Sequence, residues 1–303
     1  MKLQVQNEYA QLKTVILGTA NDLGGQRNLD ESYDPKTKEF LRKGIPPNER
    51  EMIPEMEAFA TVLKKYNVEV LRPKNLNGVN QIFTRDIGFV IDDKYIIPEI
   101  IQEREDEQDA IQHYIDKIDP SQILDAPVGV RIEGGDVAVH NEYLFVGYSN
   151  AKDFYNYKTA RTNEAGLNYL TENFPNKKVI GVQLKKSDYE ARENALHLDC
   201  CFQPLGLEHA LIFEDGFKFQ KDIDSIYEIF VKENLIKISR KEMYDMCCNI
   251  FSINKDTVVS ERGFVRVNEK LASLGYTVEE IPYYQISKQE GLLRCSTLPL
   301  LRE

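Results

Sequence analysis

Four short polar clusters punctuate this sequence: Phe-Thr-Arg-Asp ending at Asp86, Glu-Gly-Gly-Asp from Glu133 to Asp136, His-Leu-Asp-Cys from His197 to Cys200, and Arg-Cys-Ser-Thr from Arg294 to Thr297. Together they offer a thiol, an imidazole and several carboxylates. A cysteine with a histidine suits covalent catalysis. Surrounding carboxylates do not suit a protease, whose intermediate carries an oxyanion that wants donors. They do suit a flat cation with several N–H groups, because a guanidinium is held by paired bonds to Asp or Glu. Its central carbon then stands in front of the sulfur, made electrophilic by the positive charge. The implied substrate is a small guanidino compound.

Each residue also has a plainer reading. Asp86 ahead of a strand is a common turn or capping residue. The Gly134-Gly135 pair fits either a turn with positive φ or a place where another group approaches closely. His197 and Asp199, at i and i+2 along a strand, face the same way, as a base and its partner should. Cys200, Cys201, Cys247 and Cys248 lie in apolar stretches and read as packing residues. Cys295 differs, since Arg294 precedes it and a nearby cation favours a thiolate. A metal site built from His197, Asp199, Glu133 and Asp136 competes for the same residues. No HxxxH or CxxC spacing supports it and Cys295 would be idle, so neither metal nor other cofactor is expected.

The elements that must position these clusters repeat along the chain. Four segments share the shape strand, short polar turn, strand: Ile87–Ile100, Asp136–Tyr148, Leu198–Phe213 and Asn249–Glu261. Asn and Asp at their turns favour tight hairpins. A helix-period stretch and a further strand follow, as with Leu167, Leu170 and Phe174 before VIGVQL, and Val267, Leu271 and Leu274 before TVEEI. The N-terminal stretch reads as another copy with a poorer hairpin, its helix carrying Met52, Met56, Phe59 and Leu63 on one face. About five strand-strand-helix-strand units result, none able to bury its own apolar faces, so they share a core. An ordinary α/β sandwich is the alternative. The clusters fall at strand ends, which a closed repeat would bring to one cavity.

The 303 residues carry 38 basic and 49 acidic side chains, a formal charge of −11, and no basic tract stands out. Binding to nucleic-acid phosphates is not expected. No stretch approaches a signal peptide or a membrane span. Five cysteines, an odd count without CxxC spacing, point to free thiols in a reducing, cytoplasmic setting. No linker divides the chain, so residues 1–303 read as a single domain; the oligomeric state is open, a homodimer included.

Taken in order, FTRD, EGGD, HxD and a late Cys-Ser-Thr resemble the guanidino-group-modifying (amidinotransferase) superfamily, which includes arginine deiminase, dimethylarginine dimethylaminohydrolase and arginine:glycine amidinotransferase. The opening NEYAQLKTVILG is similar to that family's first strand. The resemblance implies a pentein fold, an α/β-propeller of five ββαβ units about a pseudo-five-fold axis. It implies Cys295 as nucleophile, His197 as general acid and then base, and Asp86 and Glu133 gripping the guanidinium, with Glu133 near the reacting centre. Asp199 fills the second acidic position beside the histidine, and Asp136 ends the EGGD motif among the substrate-binding residues. Arg161, in ARTNEAGLNYL, and Arg104 correspond to arginines that hold an α-carboxylate, implying an arginine-like substrate. Within the family the signals divide: Glu133 resembles the hydrolases, Asp199 the deiminases and transferases, ARTN the dimethylargininases. A hydrolase of arginine or an Nω-substituted arginine is preferred, with an amidinotransferase and a catalytically silent arginine binder as alternatives.

Overall fold

Strand β1 (Leu12–Leu17) has no hairpin partner in its own neighbourhood of the sequence. The computed structural model, which describes residues 1–25 and 28–303, pairs it in parallel with β2 (Glu69–Leu71), beyond the helix Glu49–Lys65. The remaining strands come in threes. They are β3 (Phe89–Ile91), β4 (Lys94–Ile97) and β5 (Ile123–Asp125); β6 (Val137–His140), β7 (Tyr143–Tyr148) and β8 (Lys178–Gln183); β9 (Phe202–Pro204), β10 (Ala210–Ile212) and β11 (Leu235–Lys237); β12 (Phe251–Asn254), β13 (Thr257–Glu261) and β14 (Thr277–Ile281). In each triplet the first two strands are antiparallel and the third returns parallel to the second. That return needs a crossover, which the helical stretch supplies.

The last strand, β15 (Thr297–Arg302), runs antiparallel to β1, with Val15 opposite Pro299 and Leu17 opposite Thr297. The sheet order β15-β1-β2 therefore repeats the other four, giving five three-stranded sheets. The first unit's poor hairpin is no hairpin at all: its leading strand comes from the other end of the chain. Pairing across the whole sequence leaves no local turn signal to read.

Amphipathic helices cover the sheets as their periodicity predicts. In Glu49–Lys65 the buried face holds Met52, Met56, Phe59 and Leu63, behind an Asn48 cap. In Glu164–Asn173 the cap is Asn163, whose side chain accepts from Gly166 N at 2.9 Å. Phe59, Phe145, Phe202 and Phe251 lie in one core cluster spanning several sheets. Two edge-on pairs, Phe59–Phe251 at 5.7 Å and Phe145–Phe202 at 5.0 Å, help lock the sheets together. Among the described residues no helix is long and apolar enough to cross a membrane.

Candidate active site

Each sheet presents a polar residue immediately ahead of its leading strand. Cys295 precedes β15, Asp86 precedes β3, Glu133 and Asp136 precede β6, His197 and Asp199 precede β9, and Asn249 precedes β12. Backbone bonds knit these ends together. Arg85 N donates to Cys295 O at 3.0 Å, and Thr84 Oγ1 lies 3.1 Å from both Ile16 O and Ser296 O. The loops are thus held by rigid strands, the arrangement that fixes reactive side chains most tightly.

A cavity of about 30 Å³ lies where they meet, lined by Cys295, His197, Asp86, Arg104, Arg161 and Tyr33. His197 Nε2 stands 2.9 Å from Glu133 Oε2, while Nδ1 faces Asp86 Oδ1 at 3.7 Å. Burial would lower the pKa of His197, but Asp86, the Glu133 bond and Asp136 outweigh it and raise it to about 9. At neutral pH the ring is an imidazolium, ready to give a proton. Because the folded value exceeds the unfolded one, this pairing contributes stability that is complete below about pH 6.5 and disappears as pH rises through about 9. A melting-temperature series should therefore fall across that window in the wild type and be flatter in His197→Asn. Equal slopes would remove the pairing as the cause.

The carboxylates are more committed than the sequence suggested. Asp86 Oδ2 accepts from Arg104 Nη1 at 2.7 Å and Oδ1 from Gly135 N at 3.0 Å. Glu133 is wholly enclosed; Arg161 Nη1 lies 3.2 Å from each of its oxygens. Burial pushes Glu133 up, but Arg161, the His197 bond and Arg104 hold it well below the usual carboxylate range. Arg104 and Arg161 are themselves buried, and Arg161 Nη2 has no hydrogen-bond partner among the described residues. The charged run around Arg104 reads as a solvated face in sequence, yet Glu107 also binds its guanidinium and turns it inward.

Three expectations fail in geometry. His197 and Asp199 do not share a strand face: His197 leads into a 3-10 turn, Leu198–Cys200, that contains Asp199. Asp199 Oδ2 accepts from Arg294 Nη1 at 2.8 Å and lies 3.7 Å from Cys295 Sγ. Arg294 in turn donates to Glu8 Oε1 at 2.9 Å, so its charge is already neutralised. Burial, Asp199 and Asp86 accordingly push the Cys295 thiol up despite Arg294. The neighbouring cation does not make a free thiolate. Asp136, expected at the substrate, instead accepts from Leu198 N at 2.9 Å, fixing the turn that carries His197.

The glycines of EGGD earn their place by close approach. Neither has positive φ. A Cβ on Gly134 would stand 2.0 Å from Arg85 O, and one on Gly135 would stand 2.7 Å from His197 Nδ1 and 2.9 Å from Asp86 Oδ1. Gly135→Ala should displace His197 and cost roughly 100-fold in turnover with the fold retained; unchanged kinetics would show that the ring has slack.

Asp86, Glu133 and His197 bring possible metal-ligand atoms within 4.8 Å of one another. The guanidiniums of Arg104 and Arg161 already balance those carboxylates, so a divalent ion would meet two fixed positive charges and the residues do not fit one. Asp136 and Asp199, the other members of the competing metal reading, are bonded elsewhere. The remaining cysteines are buried, with Cys200, Cys201, Cys247 and Cys248 all pushed up first by burial. Asn249, which sequence reading passed over, touches the nucleophile candidate directly: its Nδ2 is 3.1 Å from Cys295 Sγ. The repeat was the available signal, because Asn249 opens the one hairpin with no polar cluster assigned to it.

Known proteins share this fold. The N-terminal domain of ArgZ, an arginine dihydrolase from cyanobacteria solved with its product, superposes with a TM-score of 0.78 at 19% identity, covering 96% of this chain and 98% of that one. SxtG, an amidinotransferase from Microseira wollei, gives 0.76 at 16% identity, covering 99% and 97%. In sequence, the uncharacterized protein YkgA of Bacillus subtilis (strain 168) is 31% identical over 244 residues, 79% of this chain and 77% of that protein. The N(G),N(G)-dimethylarginine dimethylaminohydrolase of Pseudomonas aeruginosa is 24% identical over 197 residues, 65% and 67% of the two chains. Residues 30–301 match the family model described as "N,N dimethylarginine dimethylhydrolase, eukaryotic". The chain belongs to that family, within the guanidino-modifying pentein superfamily.

Proposed function

We propose that this protein is a cysteine hydrolase of the guanidino group of arginine or an Nω-substituted arginine. Residues 1–303 would act as one catalytic domain, the five sheets arranged as a propeller about a central axis. The observation that carries the reading is a single cavity lined at once by Cys295, His197, Asp86, Arg104 and Arg161. Asp86 keeps lone pairs beyond its bonds to Arg104 and Gly135, and these would hold the guanidinium. Arg104 and the unpartnered Nη2 of Arg161 would take the α-carboxylate.

The free thiol is protonated, and the substrate's own positive charge supplies the cation that Arg294 withholds. As the cation binds, Cys295 gives up its proton to water, and the thiolate adds to the guanidinium carbon. His197, an imidazolium, protonates the departing nitrogen as its bond to carbon breaks, leaving a planar thiouronium on sulfur. Water then adds to that carbon, the now neutral His197 takes one of its protons, and the carbon–sulfur bond breaks with the remaining hydroxyl proton passing to sulfur, which frees the ureido product and restores the thiol. Glu133 would hold the ring in place and stabilise its charged form. An amine attacking in place of water would make the same site a transferase.

Incubation with arginine, methylated arginines, and arginine plus glycine, with products identified by mass, tests this directly. Citrulline with ammonia or an alkylamine is the expected result. Ornithine with a new guanidino acid would establish a transferase, and binding without turnover a silent relative. Prior treatment with EDTA should leave the rate unchanged, whereas loss restored by a divalent metal would overturn the metal-free mechanism.

A further inference from the structure

Asn249 is wholly buried at the head of β12 and makes three contacts with the segment that carries the nucleophile. Its Oδ1 accepts from Cys295 N at 3.0 Å, its Nδ2 donates to Cys295 Sγ at 3.1 Å, and its carbonyl accepts from Arg294 N at 3.2 Å. The first bond fixes the sense of the amide: with oxygen on a backbone N–H, the NH₂ group must face the sulfur. The backbone that delivers it is unusual. Asn249 N donates to Met246 O at 2.9 Å, and Met246 has φ of 74°, a left-handed conformation that a long side chain seldom adopts.

Around the sulfur the charges are mostly adverse. Asp199 Oδ2 stands 3.7 Å away, Asp86 is near enough to raise the thiol further, and Arg294 is neutralised by Glu8 and Asp199. Beside a backbone hydrogen bond involving Leu292, the Asn249 amide turns an uncharged N–H donor toward the sulfur. Four of the five sheets supply groups that the proposed mechanism already uses. The fifth supplies Asn249.

We infer that Asn249 is a catalytic residue of this site, its side-chain amide stabilising the Cys295 thiolate while its carbonyl groups hold the nucleophile segment in place. The inference rests on Cys295 being the nucleophile. It separates two contributions to the anion: a permanent one from Asn249 and a transient one from the bound cation. Buried amides are costly unless satisfied, and here both ends are engaged on a single residue.

The test is the pH dependence of Cys295 alkylation by a haloacetamidine, followed by peptide mapping, in wild type, Asn249→Asp and Asn249→Ala. Asp keeps an acceptor for Cys295 N–H but replaces the donor facing the sulfur with an anion; Ala loses both. The expected order is wild type lowest, then Ala, then Asp, with Asp raised by about one pH unit or more. Turnover should show a kcat loss with KM little changed. If only the segment's position mattered, Ala would lower turnover without moving the alkylation midpoint, which overturns the inference. Should the buried carboxylate prevent folding, the near-isosteric Asn249→Leu carries the same expectation, and an unmoved midpoint there overturns it equally. Failure to label Cys295 in the wild type overturns the nucleophile reading and this inference with it; labelling with unmoved variants overturns this inference alone.

Discussion

Cys295→Ser is expected to lower turnover of any guanidino substrate by about a thousandfold or more while leaving the melting temperature close to that of the wild type. The hydroxyl is nearly isosteric, and the backbone bonds of residue 295 to Asn249 and Arg85 persist. What disappears is a nucleophile whose anion forms at accessible pH. Asp86 and the two arginines still line the cavity, so the variant should retain substrate, and equilibrium binding of arginine measures that. Turnover near the wild-type rate would remove Cys295 from the mechanism. Loss of binding with loss of turnover would mean that the variant had disturbed the cavity itself.

The second large effect concerns recognition. Arg161→Ala should lower kcat/KM for arginine by roughly 10- to 100-fold, the range for a charge-assisted contact to a carboxylate, and affect agmatine, which lacks that group, much less. The substitution also strips Glu133 of a partner at 3.2 Å, and breaking a buried pair typically costs about 3–5 kcal/mol of stability. Arg161→Lys separates the two consequences. It restores a positive charge beside Glu133 but not the forked donor pair, so stability should recover more than arginine selectivity. Equal losses on arginine and agmatine in both variants would mean that Arg161 serves Glu133 and His197 only.

Local patterns were readable where physics is local. The hairpins at β6–β7 and β12–β13 follow from alternating apolar residues around Asn and Asp turns, and the helix Glu49–Lys65 follows from its apolar face. The polar clusters at Asp86, Glu133, His197 and Cys295 announce themselves by residue type. What the sequence hid lies in contacts between distant parts of the chain. The β1–β15 pairing joins the two ends, and Glu8 reaches Arg294 across a separation of 286 residues. That second contact reverses the expected effect of Arg294, since a cation already paired does little for a neighbouring sulfur. Gly134 and Gly135 signalled close packing, but only the structure identifies the neighbours as Arg85 and His197. Asn249 carried no motif; its meaning lies in its place within the repeat.

The central claim is a covalent bond between the sulfur of Cys295 and the substrate's amidino carbon. Rapid acid quench of the wild-type protein during its first turnovers of arginine, followed by intact-mass measurement and peptide mapping, tests it most directly. The thiouronium should appear transiently as a single adduct on the peptide containing Cys295. Substrate consumed at a measurable rate with no adduct on that peptide, or an adduct on another residue, would contradict the account.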